Sequence, residues 1–116
     1  MASSTNGEIA AQWATALAGD WSLLERLTSP TLRVWHSPDD QWMERAQAEA
    51  QMAQAGAAGL ALQDVRTLVT ERGFVVQAAL DAGGGSGRTH IVQICTVEDG
   101  RVASCEEYIA PEMTPG

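Results

Sequence analysis

Residues 88–110 read RTHIVQICTVEDGRVASCEEYIA, two runs of β-branched and apolar residues on either side of Asp99-Gly100. Asp-Gly is a two-residue hairpin signal, because such turns need positive φ at both central positions and these residues accept it at low cost. That turn pairs Glu98 with Arg101, and further along the ladder Ile94 with Cys105 and Val92 with Glu107. One face of the hairpin then carries His90, Val92, Ile94, Ala103, Cys105, Glu107 and Ile109. A bulged three-residue turn would instead bring Gln93 and Cys95 opposite the inward face and turn His90 outward.

Working back from this hairpin, Leu60 to Glu71 and Phe74 to Asp81 are two more β-rich runs, joined at Arg72-Gly73. The tract Gly83-Gly84-Gly85-Ser86-Gly87 has neither a helix nor a lysine after it, so it reads as a hairpin tip and not as a phosphate loop. Thr31 to His36 alternates, with Leu32, Val34 and His36 on one side and Arg33 and Trp35 on the other, and ends at Ser37-Pro38-Asp39-Asp40. Before it, Glu8 to Ala18 sets Ile9, Trp13 and Leu17 four apart on one helical stripe, and Gly19 ends that helix. Trp21 to Leu27 repeats the pattern more briefly, with Asp20 as N-cap. Met43 to Ala55, rich in Ala, Gln, Glu and Met with no β-branched residue, predicts a third helix. The expected architecture is α+β, three N-terminal helices and a mostly antiparallel sheet, in one domain spanning 1–116.

Composition narrows the function. All seven basic residues are Arg against fifteen acids, a net charge of −8. That sign is wrong for gripping a phosphate backbone, and the lack of Lys removes Schiff-base and P-loop chemistry. No run approaches the ~20 apolar residues of a membrane span, and MASSTNG at the start lacks the features of a secretory signal, so the expectation is a soluble cytoplasmic protein without membrane partners. Two Cys, at 95 and 105, are too few for a disulfide scaffold or a structural zinc site and are expected as reduced thiols. No metal and no cofactor is expected.

Three local patterns, in this order and spacing, carry a family resemblance: Ala18-Gly19-Asp20-Trp21; Leu32-Arg33-Val34-Trp35-His36 followed by Pro38; and Glu98-Asp99-Gly100-Arg101-Val102 leading into Glu106-Glu107-Tyr108-Ile109. The chain resembles the nuclear transport factor 2-like superfamily, which includes ketosteroid isomerases, scytalone dehydratase, limonene epoxide hydrolase and SnoaL-type polyketide cyclases. The resemblance implies a curved sheet wrapped around the helices as a cone, a cystatin-like α+β barrel with an apolar pocket, and a homodimer through the outer sheet face. It also implies that Glu107 points into the cone.

The candidate catalytic residues are His36, Glu107 and His90. His36 shares its strand face with Leu32 and Val34, so it points inward. By resemblance it stands where ketosteroid isomerases carry their carboxylate base. His90 is the diagonal neighbour of Glu107 in the two-residue-turn register, within reach of a long side chain. Candidate ligand-binding residues are Trp13, Trp42, Val92, Ile94, Cys105 and Ile109, while Trp35 alternates outward to packing or an interface. The isomerase's paired oxyanion donors have no match, since Gln12 and Val92 fall near their places. Asp64 and Arg66 share a strand face but lack the second inward Asp of limonene epoxide hydrolases. The expected function is a cofactor-independent acid–base enzyme, of isomerase, cyclase or dehydratase type, acting on a small hydrophobic carbonyl- or epoxide-bearing molecule. The alternatives are a non-catalytic ligand-binding or dimeric assembly protein, and an epoxide hydrolase.

Overall fold

A computed structural model describes residues 5–81 and 87–112. The elements run α1 (Asn6–Leu17), α2 (Leu23–Leu27), β1 (Thr28–His36), β2 (Gln41–Glu44), α3 (Arg45–Ala57), β3 (Gln63–Val69), β4 (Gly73–Asp81), β5 (Arg88–Glu98) and β6 (Arg101–Pro111). The expected three helices and mostly antiparallel sheet are present. The strands form one six-stranded sheet in the order β2-β1-β6-β5-β4-β3. Only β1 and β6 pair in parallel. Of the glycine-rich tract, Gly83 to Ser86 lie outside the described residues.

α1 begins earlier than its apolar stripe. Thr5 caps it, accepting from the Glu8 backbone N–H, while the Glu8 carboxylate accepts from the Thr5 N–H, so two otherwise orphaned donors are satisfied. The stripe Ile9, Trp13 and Leu17 is buried as expected, together with Leu24 and Leu27 of α2 and Phe74 and Val76 of β4. Trp13 meets Phe74 edge to face, with ring centroids 5.8 Å apart. Asp20 does not cap α2; its carboxylate accepts from Ser22 Oγ instead.

Strand β2 is an addition to the expected elements. Asp40 takes a positive φ of 53° and turns the chain back, so that Gln41 to Glu44 pair antiparallel with Arg33 to His36 before α3 starts at Arg45. α3 buries only Ala48. The rest of its inward side, including Gln51 and Met52, lines a cavity, with Met52 also packed against the core.

The last hairpin has the expected two-residue turn, with Asp99 and Gly100 both at positive φ (52° and 77°) and Glu98 opposite Arg101. One rung further the register slips: Val97 pairs with Val102 but Thr96 pairs with Ser104, leaving Ala103 as an extra residue in β6. A bulge of one residue moves every later side chain of one strand to the other face relative to its partner. Gln93, not Val92, therefore stands opposite Glu107, and Cys95 opposite Cys105. The expected pairing of Val92 with Glu107 is corrected by this slip.

The outer face of the sheet is aromatic. Trp35 and Tyr108 lie with ring centroids 5.1 Å apart, and the Arg33 guanidinium sits 4.5 Å from the Trp42 ring centroid. Trp42, Ile94 and Tyr108 remain 41–42% exposed.

Candidate functional site

β1 and β6 run side by side in parallel, with Val34 beside Cys105 and His36 beside Glu107. Register mates share a face, so all four side chains project toward the helices, where they line one cavity of about 440 Å³. The ends of the strands are locked at this level: Ser37 N–H donates to the Glu107 carbonyl, and Ile109 N–H donates to Ser37 Oγ. His36 Nε2 lies 3.2 Å from Glu107 Oε1, the two side chains being 16% and 18% exposed.

The other carboxylate oxygen is engaged from β5. Gln93 Nε2 donates to Glu107 Oε2 at 2.7 Å, and Trp13 Nε1 donates to Gln93 Oε1 at 2.8 Å. An indole N–H can only donate, so the amide must turn its oxygen toward Trp13 and its NH₂ toward Glu107. The two bonds thereby set one orientation of the amide. They form a chain from α1 across β5 to β6, Trp13 to Gln93 to Glu107, with His36 at its end. Gln93 is 7% exposed, one of two buried polar residues in the described core, and both ends of its side chain are satisfied.

Apart from this polar end and two glutamines of α3, the cavity wall is Leu, Ile, Val, Met, Ala, Cys and indole. Trp13 and Trp21 both contribute, and each indole N–H is already bonded, that of Trp21 to the Leu60 carbonyl. Gln51 and Gln54 of α3 supply amides on the helix side.

The structure brings His36, Glu107, Trp13 and Cys105 of the expected set together around the cavity. It does not bring His90 there. The Ala103 bulge leaves Ile91 and Gln93 on the cavity side, so His90, Val92 and Ile94 alternate to the opposite face. His90 Nε2 instead lies 2.9 Å from Glu112 Oε2 at a site more than 40% exposed on both partners. That contact, with the Arg88 backbone N–H on the other oxygen, holds the Glu112 carboxyl below its usual range. Trp42 is likewise outside, on the Arg33 side of the sheet. Ile109 shares the Glu107 face but packs against the core beside the cavity. Asp64 and Arg66 lie on β3, bonded to Arg88 and Gln77 away from the cavity.

Cys95 and Cys105 are free, each 2% exposed, with their sulfurs 3.8 Å apart. The neighbouring Cys95 thiol, then burial, pushes the Cys105 thiol well above the ordinary range, so it behaves as a small apolar wall residue and not as a nucleophile. Among the described residues no group of three or more His, Cys, Asp or Glu converges as a metal site, and no helix is long and apolar enough to cross a membrane.

No protein-family model and no curated protein sequence matches the chain. Solved structures do. An NTF2-like protein of unknown function from Burkholderia xenovorans LB400 superposes at a TM-score of 0.72, covering 97% of this chain and 92% of its own at 16% identity. The chain has the NTF2-like fold. Two further structures with this fold are IdmH, a candidate polyketide cyclase from Streptomyces antibioticus (TM-score 0.71, 12% identity, 91% and 92% covered), and a candidate SnoaL-like polyketide cyclase from Mesorhizobium loti (0.68, 17%, 90% and 99%). The NTF2-like fold hosts unrelated chemistries, so the reaction has to be argued from the cavity itself.

Proposed function

We propose that the cavity is the active site of an acid–base enzyme, of isomerase, cyclase or dehydratase type, whose substrate is a small hydrophobic molecule bearing a carbonyl or an epoxide. The observation that supports this reading is the 3.2 Å approach of His36 Nε2 to Glu107 Oε1 at the polar end of a largely apolar cavity. An imidazole is a competent base near neutral pH and a competent acid once protonated. Because Gln93 occupies Oε2 as an acceptor, proton exchange at Glu107 runs through Oε1, the oxygen beside the imidazole. A proton taken from the carbon next to a carbonyl and returned elsewhere moves a double bond. The same enolate closes a ring by attack on a second carbonyl, or expels a β-hydroxyl as water. Each route needs a positioned proton carrier and a site that excludes water. The candidate polyketide cyclases of the same fold favour ring closure among these.

The test uses a neutral bicyclic ketone, 2-tetralone, whose α-hydrogens exchange in D₂O and are followed by NMR. The wild-type protein is expected to accelerate exchange. His36→Ala and Glu107→Gln are each expected to lower the rate by about 10²-fold or more, the usual contribution of a general acid or base. Exchange at the buffer rate in wild type, or full rate in both variants, overturns the assignment.

A second reading rests on a different surface. Trp42, Tyr108 and Ile94 on the outer sheet face stand 41–42% exposed, which favours a homodimer through that face. In that reading the cavity binds a ligand without turning it over. Sedimentation velocity of wild type and Trp42→Glu tests the dimer; a wild-type monomer at micromolar concentration removes it.

A further inference from the structure

We infer that Gln51 of α3 is a further catalytic residue, whose side-chain amide donates to the carbonyl oxygen of the substrate from the helix wall of the cavity while His36 and Glu107 act from the sheet. The inference rests on the reading of the cavity as an acid–base site and deepens it by naming the group that holds the reacting oxygen. Ala48, Gln51, Met52 and Ala55 recur at i, i+3, i+4 and i+7, the spacing of a core-facing helix stripe, and all four line the cavity. Three of them are apolar and one is an amide. Gln54 also lines the cavity but stands at the margin of that stripe. The helix is tied near both ends: Arg45 at its start donates to the Thr28 carbonyl of β1, and beyond its last turn the Leu60 carbonyl accepts from Trp21 Nε1. Gln51 is thereby carried at a set place in the wall.

The Gln93 amide gives its NH₂ to Glu107 and its oxygen to Trp13, and the Trp21 indole N–H is taken by Leu60. The Gln51 amide has no hydrogen-bond partner among the described residues, and the residue is exposed, so water serves it in the free protein. A hydrophobic ligand that fills the cavity strips this water, at a cost in free energy unless the ligand returns a hydrogen-bonding group. An NH₂ at that place selects an acceptor, and the carbonyl oxygen is the acceptor of the proposed substrates. The chemistry needs a donor there as well. When the His36–Glu107 pair takes a proton from the carbon next to the carbonyl, the C–H electron pair forms the new C=C bond. The C=O π pair moves onto oxygen, and a donor already in place stabilises the charge that develops. When the proton returns to another carbon the pairs move back, so the amide ends each turnover unchanged. Val92, which falls near one isomerase donor position, faces away from the cavity, so the oxygen takes its partner from α3 instead.

The full chain is tested at pH 7.5 in the 2-tetralone exchange assay and by equilibrium dialysis against 2-naphthol, which copies the enol of 2-tetralone, and 2-methylnaphthalene, which has a methyl in place of its hydroxyl. Gln51→Leu, close in volume and a good helix former, is expected to lower kcat for exchange about 10²-fold. It is expected to weaken 2-naphthol binding by about fivefold, the worth of one hydrogen bond, and to leave 2-methylnaphthalene binding unchanged. Gln51→Glu keeps an acceptor but loses the donor, and is expected to exchange no faster than Gln51→Leu. Wild-type exchange in either variant, equal weakening of both probes, or an oxygen-specific loss in Gln54→Leu and not in Gln51→Leu overturns the inference while the enzyme reading stands. If wild type prefers 2-naphthol through Gln51 but does not exchange 2-tetralone, the oxygen contact stands and the enzyme reading falls. If wild type neither binds the probes nor exchanges 2-tetralone, both fall.

Discussion

Gln93→Leu removes the middle of the chain that runs from Trp13 to Glu107 while nearly conserving side-chain volume. Two groups lose their partner: the Trp13 indole N–H, on a residue only 3% exposed, and Glu107 Oε2. An unsatisfied buried donor costs about 1–3 kcal/mol, and a lost hydrogen bond to a charged group about 1.5–3 kcal/mol. Glu107 faces the cavity and regains part of its loss from water. The leucine returns about 1–2 kcal/mol through apolar burial, which leaves a net destabilisation of about 2 kcal/mol. Urea unfolding followed by far-UV circular dichroism measures it. Trp13→Phe alone also leaves Gln93 Oε1 unpaired, whereas Trp13→Phe/Gln93→Leu leaves neither of those two groups stranded. The double variant should therefore lose about 1 kcal/mol less than the sum of the singles. Additive losses, or a Gln93→Leu protein as stable as wild type, refute the reasoning.

Three further outcomes follow from other parts of the molecule. A Cβ at Gly73 would fall 2.1 Å from the Cys95 carbonyl oxygen, a backbone atom that cannot swing aside, so Gly73→Ala should cost at least about 2 kcal/mol in thermal or urea unfolding; an unchanged midpoint contradicts the close strand approach. With the Cys105 thiol pushed up by Cys95 and burial, both cysteines should resist Ellman's reagent at pH 8 in the native protein and react promptly in urea; a fast native reaction contradicts their burial. The Glu8 carboxyl is held below its usual range by the Thr5 N–H, so its share of stability is present above the unfolded carboxylate range and is lost as pH falls through the depressed folded value. The stability gap between wild type and Glu8→Gln should accordingly close in acid, and a gap that is constant from pH 7 to 2 contradicts the capping box.

The fold was legible because its signals are local. The Ile9, Trp13, Leu17 stripe, the alternation from Leu32 to His36 and the Asp99-Gly100 turn each act through neighbours a few residues away. The Thr5 to Glu8 capping box was missed, the helix being expected only from Glu8, although a Thr followed three residues later by Glu is a helix-start pattern. His36 and Glu107 were legible in different ways, His36 from the alternation of its own strand and Glu107 from the family resemblance. Gln93 was not, for two reasons. The run Ile91-Val92-Gln93-Ile94-Cys95 is apolar on both faces, so alternation does not choose between them. The bulge that does choose falls at Ala103, just past the turn, a small residue whose type does not mark it as a bulge. The same bulge carried His90, Val92 and Ile94 to the outer face. Strand β2 escaped because its four residues merge in composition with the helix that follows, and only the positive φ at Asp40 turns them back onto β1.

His36 and Glu107 act as one proton-handling unit in this account, and a double variant tests that most directly. In the 2-tetralone exchange assay, His36→Ala/Glu107→Gln should lose no more than the worse single variant, within about threefold, because removing either member already disables the unit. Losses that multiply across the two positions would show the side chains acting separately and would contradict the account.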